Sequence, residues 1–292
     1  MNADFLIPIK DSVVAHSVLL PQNSLGAIMQ VHTQTDGFPD LIGINIAILG
    51  VEEDRNTEDN LGSGKDLHYI RRHLYQLFPG NWNTSIADIG NIKKGDSTSD
   101  THFAVTKVIA DLLKLNIIPI IIGGGQDTTF SNYKAYDALE QTVNLVAVDS
   151  MFDLGNLEDE LSSKSYLSKI IMEVPSNLFN YSNIGYQTYF NSQEEINLIQ
   201  GLNFDAYRLG EISNNIELSE PTLRDADIVS LDLNSVENIT DAALMDVIRN
   251  LKYLHFADFT LTQVSQTGVS LLEKSLEYSQ KLSRKLVFQS HH

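Results

Sequence analysis

Three short segments place acids and amides directly behind runs of β-branched residues. Gly123-Gly124-Gly125-Gln126-Asp127 follows residues 117–122, Asp149-Ser150-Met151-Phe152-Asp153 follows 143–148, and Asp232-Leu233-Asn234 follows 228–231. Carboxylates and amide carbonyls are hard oxygen donors. Asp149, Asp153 and Asp232, joined by Gln126 and Asn234, are therefore the residue types that hold Mg²⁺, Ca²⁺ or Mn²⁺. Brought together without those ions, the same carboxylates repel one another if all are ionised, and must be compensated by hydrogen bonds, for which Gln126 and Asn234 are suitable donors, by one raised pKa, or by another cation. Singly, each segment has an ordinary explanation. An aspartate after a strand makes a turn or caps a helix. A glycine triplet makes a tight turn, and this one lacks the Lys-Ser/Thr of a phosphate loop. Their recurrence at successive strand ends points to a shared rim.

The elements that must carry that rim are legible as short apolar runs at residues 44–49, 86–89, 117–122, 143–148, 183–186, 228–233 and 253–256, each read as a buried strand. Helical spacing lies between them. Leu67, Ile70, Arg71, Leu74 and Leu77 share a face, as do Val105, Val108, Ile109, Leu112 and Leu113. Leu167, Ile170 and Ile171 repeat the pattern, then Leu244, Val247 and Ile248, and finally 269–282 with Leu271, Leu272, Leu276 and Tyr278. Strands alternating with helices, and apolar along their whole length, predict a parallel sheet covered on both faces. Ligands of such sheets sit at the carboxyl ends of the strands. Residues 1–40 read as a lead-in that covers a sheet edge, and residues 41–292 as one α/β domain.

Composition narrows the function. The 292 residues are 42 % hydrophobic, ample for a core, and carry a formal net charge of −18. That charge repels phosphate backbones and anionic lipid, so nucleic acid and membrane surfaces are not expected partners. Cysteine is absent, which removes disulfides, thiolate metal sites and a thiol nucleophile. The first residues show no signal-peptide run, and the most apolar stretch, 117–122, is about a third of a membrane span. The expectation is a soluble cytoplasmic protein.

The three segments together resemble the signature of the ureohydrolases (arginase, agmatinase and formimidoylglutamase), which runs Gly-Gly-Gly-His, then Asp-Ala-His-x-Asp, then Ser-x-Asp-x-Asp. Residues 118–133, 146–154 and 230–234 match these in order. A looser likeness extends from about residue 41 to the end, including Gly62-Ser63-Gly64 and Ile70-Arg71, and the overall look is nearest to formimidoylglutamase. The resemblance implies a three-layer α/β/α fold of the arginase/deacetylase type, with a mainly parallel sheet of about seven or eight strands. It also implies a trimer or hexamer, and two Mn²⁺ ions that activate a bridging hydroxide for attack on an amidine or guanidine carbon.

The departures from the signature bear on that chemistry. Carried over by motif, the first ion would take Gln126, Asp149, Asp153 and Asp232, and the second Asp149, Met151, Asp232 and Asn234. An amide thus replaces one imidazole, a soft thioether replaces the other, and a neutral amide replaces a carboxylate. No histidine lies between His102 and His255, so all three motifs lack a proton carrier that titrates near neutral pH. The family's substrate-side glutamate has only a weak counterpart in Asp258. The expectation is a formimidoylglutamase-like protein without a resident metal, non-catalytic, serving as a binding or scaffold module for an unidentified protein or small ligand. The alternative is a hydrolase of C–N bonds in linear amidines or guanidines that uses a single oxygen-ligated Mg, Ca or Mn ion.

Overall fold

The computed structural model describes residues 3–57, 61–65, 67–80, 84–156, 158–232, 235 and 259–261. Within them, one sheet is built from β1 (Leu6–Ile7), β2 (Gln30–Val31), β3 (Ile46–Val51), β4 (Ile86–Ile92), β5 (Ile118–Ile122), β6 (Val143–Val148), β7 (Leu178–Tyr186), β8 (Asp205–Arg208), β9 (Ile228–Leu231) and β10 (Phe259–Leu261). The strand order is β1-β4-β3-β5-β10-β9-β6-β7-β8, with β2 also on β4. Every pairing is parallel except β1 on β4. Helices α1 (Asp11–Ser17), α2 (Leu25–Ile28), α3 (Leu67–Leu74), α4 (Thr98–Lys114), α5 (Thr128–Ala135), α6 (Tyr166–Met172), α7 (Gln193–Gly201), α8 (Leu209–Asn214) and α9 (Ser219–Arg224) connect the strands.

Period-two alternation sends the strands' side chains to opposite layers. Ile48, Val146, Val148 and Leu231 pack with residues of α1, α2, α3, α8 and α9. Ala47, Leu49 and Ile121 pack against α4, while Leu145 and Ala147 pack against α5, α6 and α7. Two helical layers therefore enclose the sheet, which is the expected α/β/α sandwich. Each fully buried Ile or Leu contributes roughly 1.5–3 kcal/mol, so the continuous apolar runs dominate the energetics.

The sheet is wider than the expected seven or eight strands because short strands join its two edges: two-residue β1 and β2 on β4, and four-residue β8 on β7. The lead-in supplies β1 and β2. Strand β4 runs on to Ile92 and β7 starts at Leu178, beyond the runs at 86–89 and 183–186. The expected strand 253–256, the helical patterns at 244–248 and 269–282, His255, Asn234 and Asp258 lie outside the described residues. Helix α4 begins where the sequence provides a reciprocal cap: the Asp100 N–H donates to Ser97 Oγ at 3.2 Å and the Ser97 N–H donates to Asp100 Oδ2 at 2.8 Å. Ser192 and Glu195 repeat the device at α7.

One buried ion pair fastens α3 to β4. Arg71, 1 % exposed, donates through Nε to Asp88 Oδ2 at 2.6 Å and through Nη2 to Asp88 Oδ1 at 3.0 Å. Its remaining donors reach Asn91 Oδ1 at 2.6 Å and the Gly90 carbonyl at 3.0 Å, and the Tyr75 hydroxyl donates to Asp88 Oδ2 at 2.9 Å. A charge this deep is tolerated only because its donors and their acceptors are so fully matched.

Candidate functional site

The strand order puts β5, β10, β9 and β6 side by side at the centre of the sheet, so the segments that leave β5, β6 and β9 converge on one rim. The glycine turn after β5 has no room for side chains. A Cβ at Gly123, where φ is +83°, would meet Leu67 Cδ2 at 2.1 Å, and one at Gly125 would meet Thr57 Oγ1 and Asp127 Oδ1, each at 2.2 Å. The Gly125 N–H donates to the Glu53 carbonyl at 2.9 Å. Burial pushes the Glu53 carboxyl up, but hydrogen bonds from Arg55 and Thr101 outweigh it and hold the group down at about 2. The turn is thus seated on the main chain of a residue whose carboxylate is fixed by Arg55 and Thr101.

Gln126 emerges fully buried. Its Nε2 donates to Asp149 Oδ2 at 2.9 Å and lies 3.3 Å from the Tyr166 hydroxyl. The other oxygen of Asp149 accepts the Met151 N–H at 3.0 Å. Both oxygens of Asp149 are therefore engaged by the protein's own donors. Asp153 sits four residues on, with a left-handed φ of +52° that turns its carboxyl back toward Asp149. At the end of β9, the Asp232 N–H donates to the Val148 carbonyl at 3.1 Å, which sets that carboxylate beside β6.

Asp149, Asp153 and Asp232 each offer an oxygen, all within 4.8 Å of one another, and the residues are 1 %, 6 % and 3 % exposed. Burial raises the pKa of Asp149, against the opposing hydrogen bonds from Met151 and Gln126. It raises Asp153 much further, with the charges of Asp149 and Asp232 adding to it, and only Lys164 acting the other way. Of these two, Asp153 is the one whose protonated form is favoured more. Buried Tyr166 and Tyr181 are held neutral by the same desolvation, and serve as uncharged walls. Three acceptor oxygens at the rim, Gln126 Oε1, Asp153 Oδ2 and Asn183 Oδ1, make no hydrogen bond with the protein.

Five of the residues singled out by sequence thus meet at this rim: Gln126, Asp149, Met151, Asp153 and Asp232. Sequence reasoning passed over two groups. One is His102, set outside the rim by its position in the chain, which α4 carries to the glycine turn. Its Nε2 is 2.9 Å from Asp127 Oδ2, off the line of a hydrogen bond, and its Nδ1 is 2.6 Å from Ser131 Oγ. The other is a pair of asparagines, Asn183 and Asn191, that take up the backbone of the loop after β6. Ser131 and Asp127 are both buried, at 1 % and 0 % exposure.

The donors decide what the rim fits. Three carboxylates with an unpartnered amide oxygen make an all-oxygen set for one hard cation. A second ion carried over by motif would find, beside Asp149 and Asp232, the Met151 thioether, a soft donor. Among the described residues, the donor set is that of a hard cation.

A family model described as "Arginase family" matches residues 44–240. The chain belongs to the arginase family. All three rim segments lie inside the matched span, and Asp258 lies beyond it. A relative, the formimidoylglutamase of Streptococcus gordonii, is 26 % identical over 191 residues, covering 58 % of this chain and 56 % of the relative; the match spans little more than half of that protein. Among solved structures, the arginase-family fold is shared with Trypanosoma cruzi formiminoglutamase bearing two Mn²⁺, at a TM-score of 0.68 and 14 % identity, covering 88 % of this chain and 96 % of that one. Bacillus subtilis formimidoylglutamase aligns with a TM-score of 0.65 and 15 % identity, covering 83 % and 88 % respectively. No helix among the described residues is long and apolar enough to cross a membrane.

The like charges at this arginase-family rim give a testable sign. A carboxyl whose folded pKa lies above its unfolded value contributes stability below the unfolded pKa, and loses it as pH rises through the folded one. Asp153 is such a group. Asp153→Asn keeps an N–H donor toward Asp149 and removes the titration. The metal-free variant is expected to melt above the wild type at neutral pH and to show a flatter fall in Tm from acid to neutral pH. Scanning calorimetry across that range checks it; an unchanged pH profile would contradict the assignment of the proton to Asp153.

Proposed function

We propose that this chain is a formimidoylglutamase-like member of the arginase family that has given up two-metal hydrolysis and acts as a non-catalytic, cytoplasmic binding module. Its acidic rim takes at most one hard cation, and an unidentified protein or small ligand is its partner. The observation that supports this reading is the engagement of Asp149: one of its oxygens accepts from the Gln126 amide and the other from the Met151 N–H, donors with which any bridging ion would share it. Chemistry of the family type needs a water acidified and held between two cations. The rim also lacks an imidazole on any of the three segments to carry protons away.

Incubation with formiminoglutamate, arginine and agmatine in added Mn²⁺ tests it. The expected result is no formamide or urea above the protein-free blank. Sustained release that scales with protein concentration would overturn the reading. The unpartnered Gln126 Oε1 and Asp153 Oδ2 favour a second reading: a hydrolase of linear amidines or guanidines with one oxygen-ligated ion, whose turnover would saturate at one equivalent of metal.

A further inference from the structure

The loop Asp149–Asp153 presents two buried carboxyl groups toward each other across a left-handed turn, so something must hold its backbone. The hold comes from the segment 183–191 at the carboxyl end of β7. Asn191 Oδ1 accepts the Phe152 N–H at 2.9 Å. Asn191 Nδ2 donates to the Ser150 carbonyl at 3.0 Å and to its own loop's Gln187 carbonyl at 2.8 Å. Asn183 Nδ2 donates to the Met151 carbonyl at 3.0 Å. The Gln187 N–H adds a second bond to the Ser150 carbonyl at 3.0 Å, and the Asp149 N–H donates to the Ile184 carbonyl at 3.1 Å. Ser150, Met151 and Phe152 thus each have a main-chain group fixed by one of two buried amides, Asn183 at 0 % and Asn191 at 7 % exposure.

We propose that Asn191 and Asn183 are positioning residues for the rim: they hold the Asp149–Asp153 loop in its cation-ligating shape without any ion. Buried amide-to-backbone bonds are costly to break because each leaves an unsatisfied group in a dry interior. The loop consequently does not slacken when the rim is empty, and the left-handed turn at Asp153 is kept by the bonds on either side of Met151. Outer partners of this kind set affinity by fixing where ligand oxygens point. This part of the inference rests on the one-cation reading of the rim.

Hydrogen exchange followed by NMR on metal-free wild type, before and after adding Mn²⁺, tests the hold directly. Slow exchange of the Phe152 amide without metal is expected; fast exchange that becomes slow only with Mn²⁺ overturns the proposal. Calorimetric titration with Mn²⁺ then compares wild type with Asn191→Ala. Weakening by about 10-fold is expected, the scale of losing an outer partner. Equal affinity alongside a lowered Tm would make Asn191 merely structural and overturn its positioning role. Where Asn191→Ala does not fold, Asn183→Ala, which removes one loop bond, gives the same readout. A wild type that takes up no Mn²⁺ ends the one-cation reading, and the exchange result alone then decides whether the amides hold the loop.

Discussion

Combining Gln126→His, Met151→His and Asn234→Asp is expected to raise Mn²⁺ affinity and to bring its stoichiometry to two per chain. The affinity gain should exceed roughly 100-fold, since losing even an outer partner of a ligand costs roughly 10- to 100-fold. The largest share comes from position 126. There the amide Nε2 now donates to Asp149 Oδ2, and an imidazole would release that oxygen to a cation while offering a nitrogen lone pair of its own. Position 151 exchanges a soft donor for a borderline one. Position 234, outside the described residues, adds a charge that lets four carboxylates face two dications. The gains are coupled, because the second ion needs Asp149 freed before its own ligands matter, so the triple variant should exceed the sum of the singles. Isothermal titration with Mn²⁺ reads both affinity and stoichiometry. No gain in either would contradict the placement of these residues around one centre.

Arg71→Met is expected to cost about 3–5 kcal/mol of unfolding free energy, as for other buried ion pairs stripped of one partner. The change leaves Asp88, 0 % exposed, with only the Tyr75 hydroxyl and the Gly90 N–H against its charge. It also strands the Asn91 and Gly90 oxygens that Arg71 now serves. The pair Arg71→Met with Asp88→Leu should recover much of the loss, because two apolar groups of similar volume leave no orphan charge. Urea denaturation of wild type, single and double variants measures the effect. A single-variant loss below about 1 kcal/mol would class the pair with exposed ion pairs and contradict its role in seating α3 on β4.

What the sequence disclosed follows from which physics dominates each element. Central strands β3, β5, β6 and β9 announce themselves because burial on two faces demands an unbroken apolar run, and the residues just after them mark the rim for the same topological reason. Edge strand β8 gives no such signal, since Asp205-Ala206-Tyr207-Arg208 is exposed at both ends and only half-buried between them. Helix α5 is silent for the opposite reason. Its buried face is made of Thr128, Thr129, Ser131, Asn132 and Tyr133, polar side chains whose partners come from elsewhere, as when Thr129 Oγ1 lies 2.8 Å from Ser230 Oγ. Hydropathy cannot find a helix whose inner face is hydrophilic. The same limit hid Asn183 and Asn191, which act on a loop some 32–41 residues away, and His102, whose helix reads as an apolar stripe on its other side. The engagement of Asp149 was legible only in kind: the absence of imidazoles could be read from residue types, whereas the Gln126 hydrogen bond to Asp149 is a matter of where that side chain points.

The most direct test of this account is the metal content of the native protein after dialysis without chelator. Elemental analysis is predicted to find less than one equivalent of transition metal per chain. Two equivalents of manganese retained per chain would contradict it.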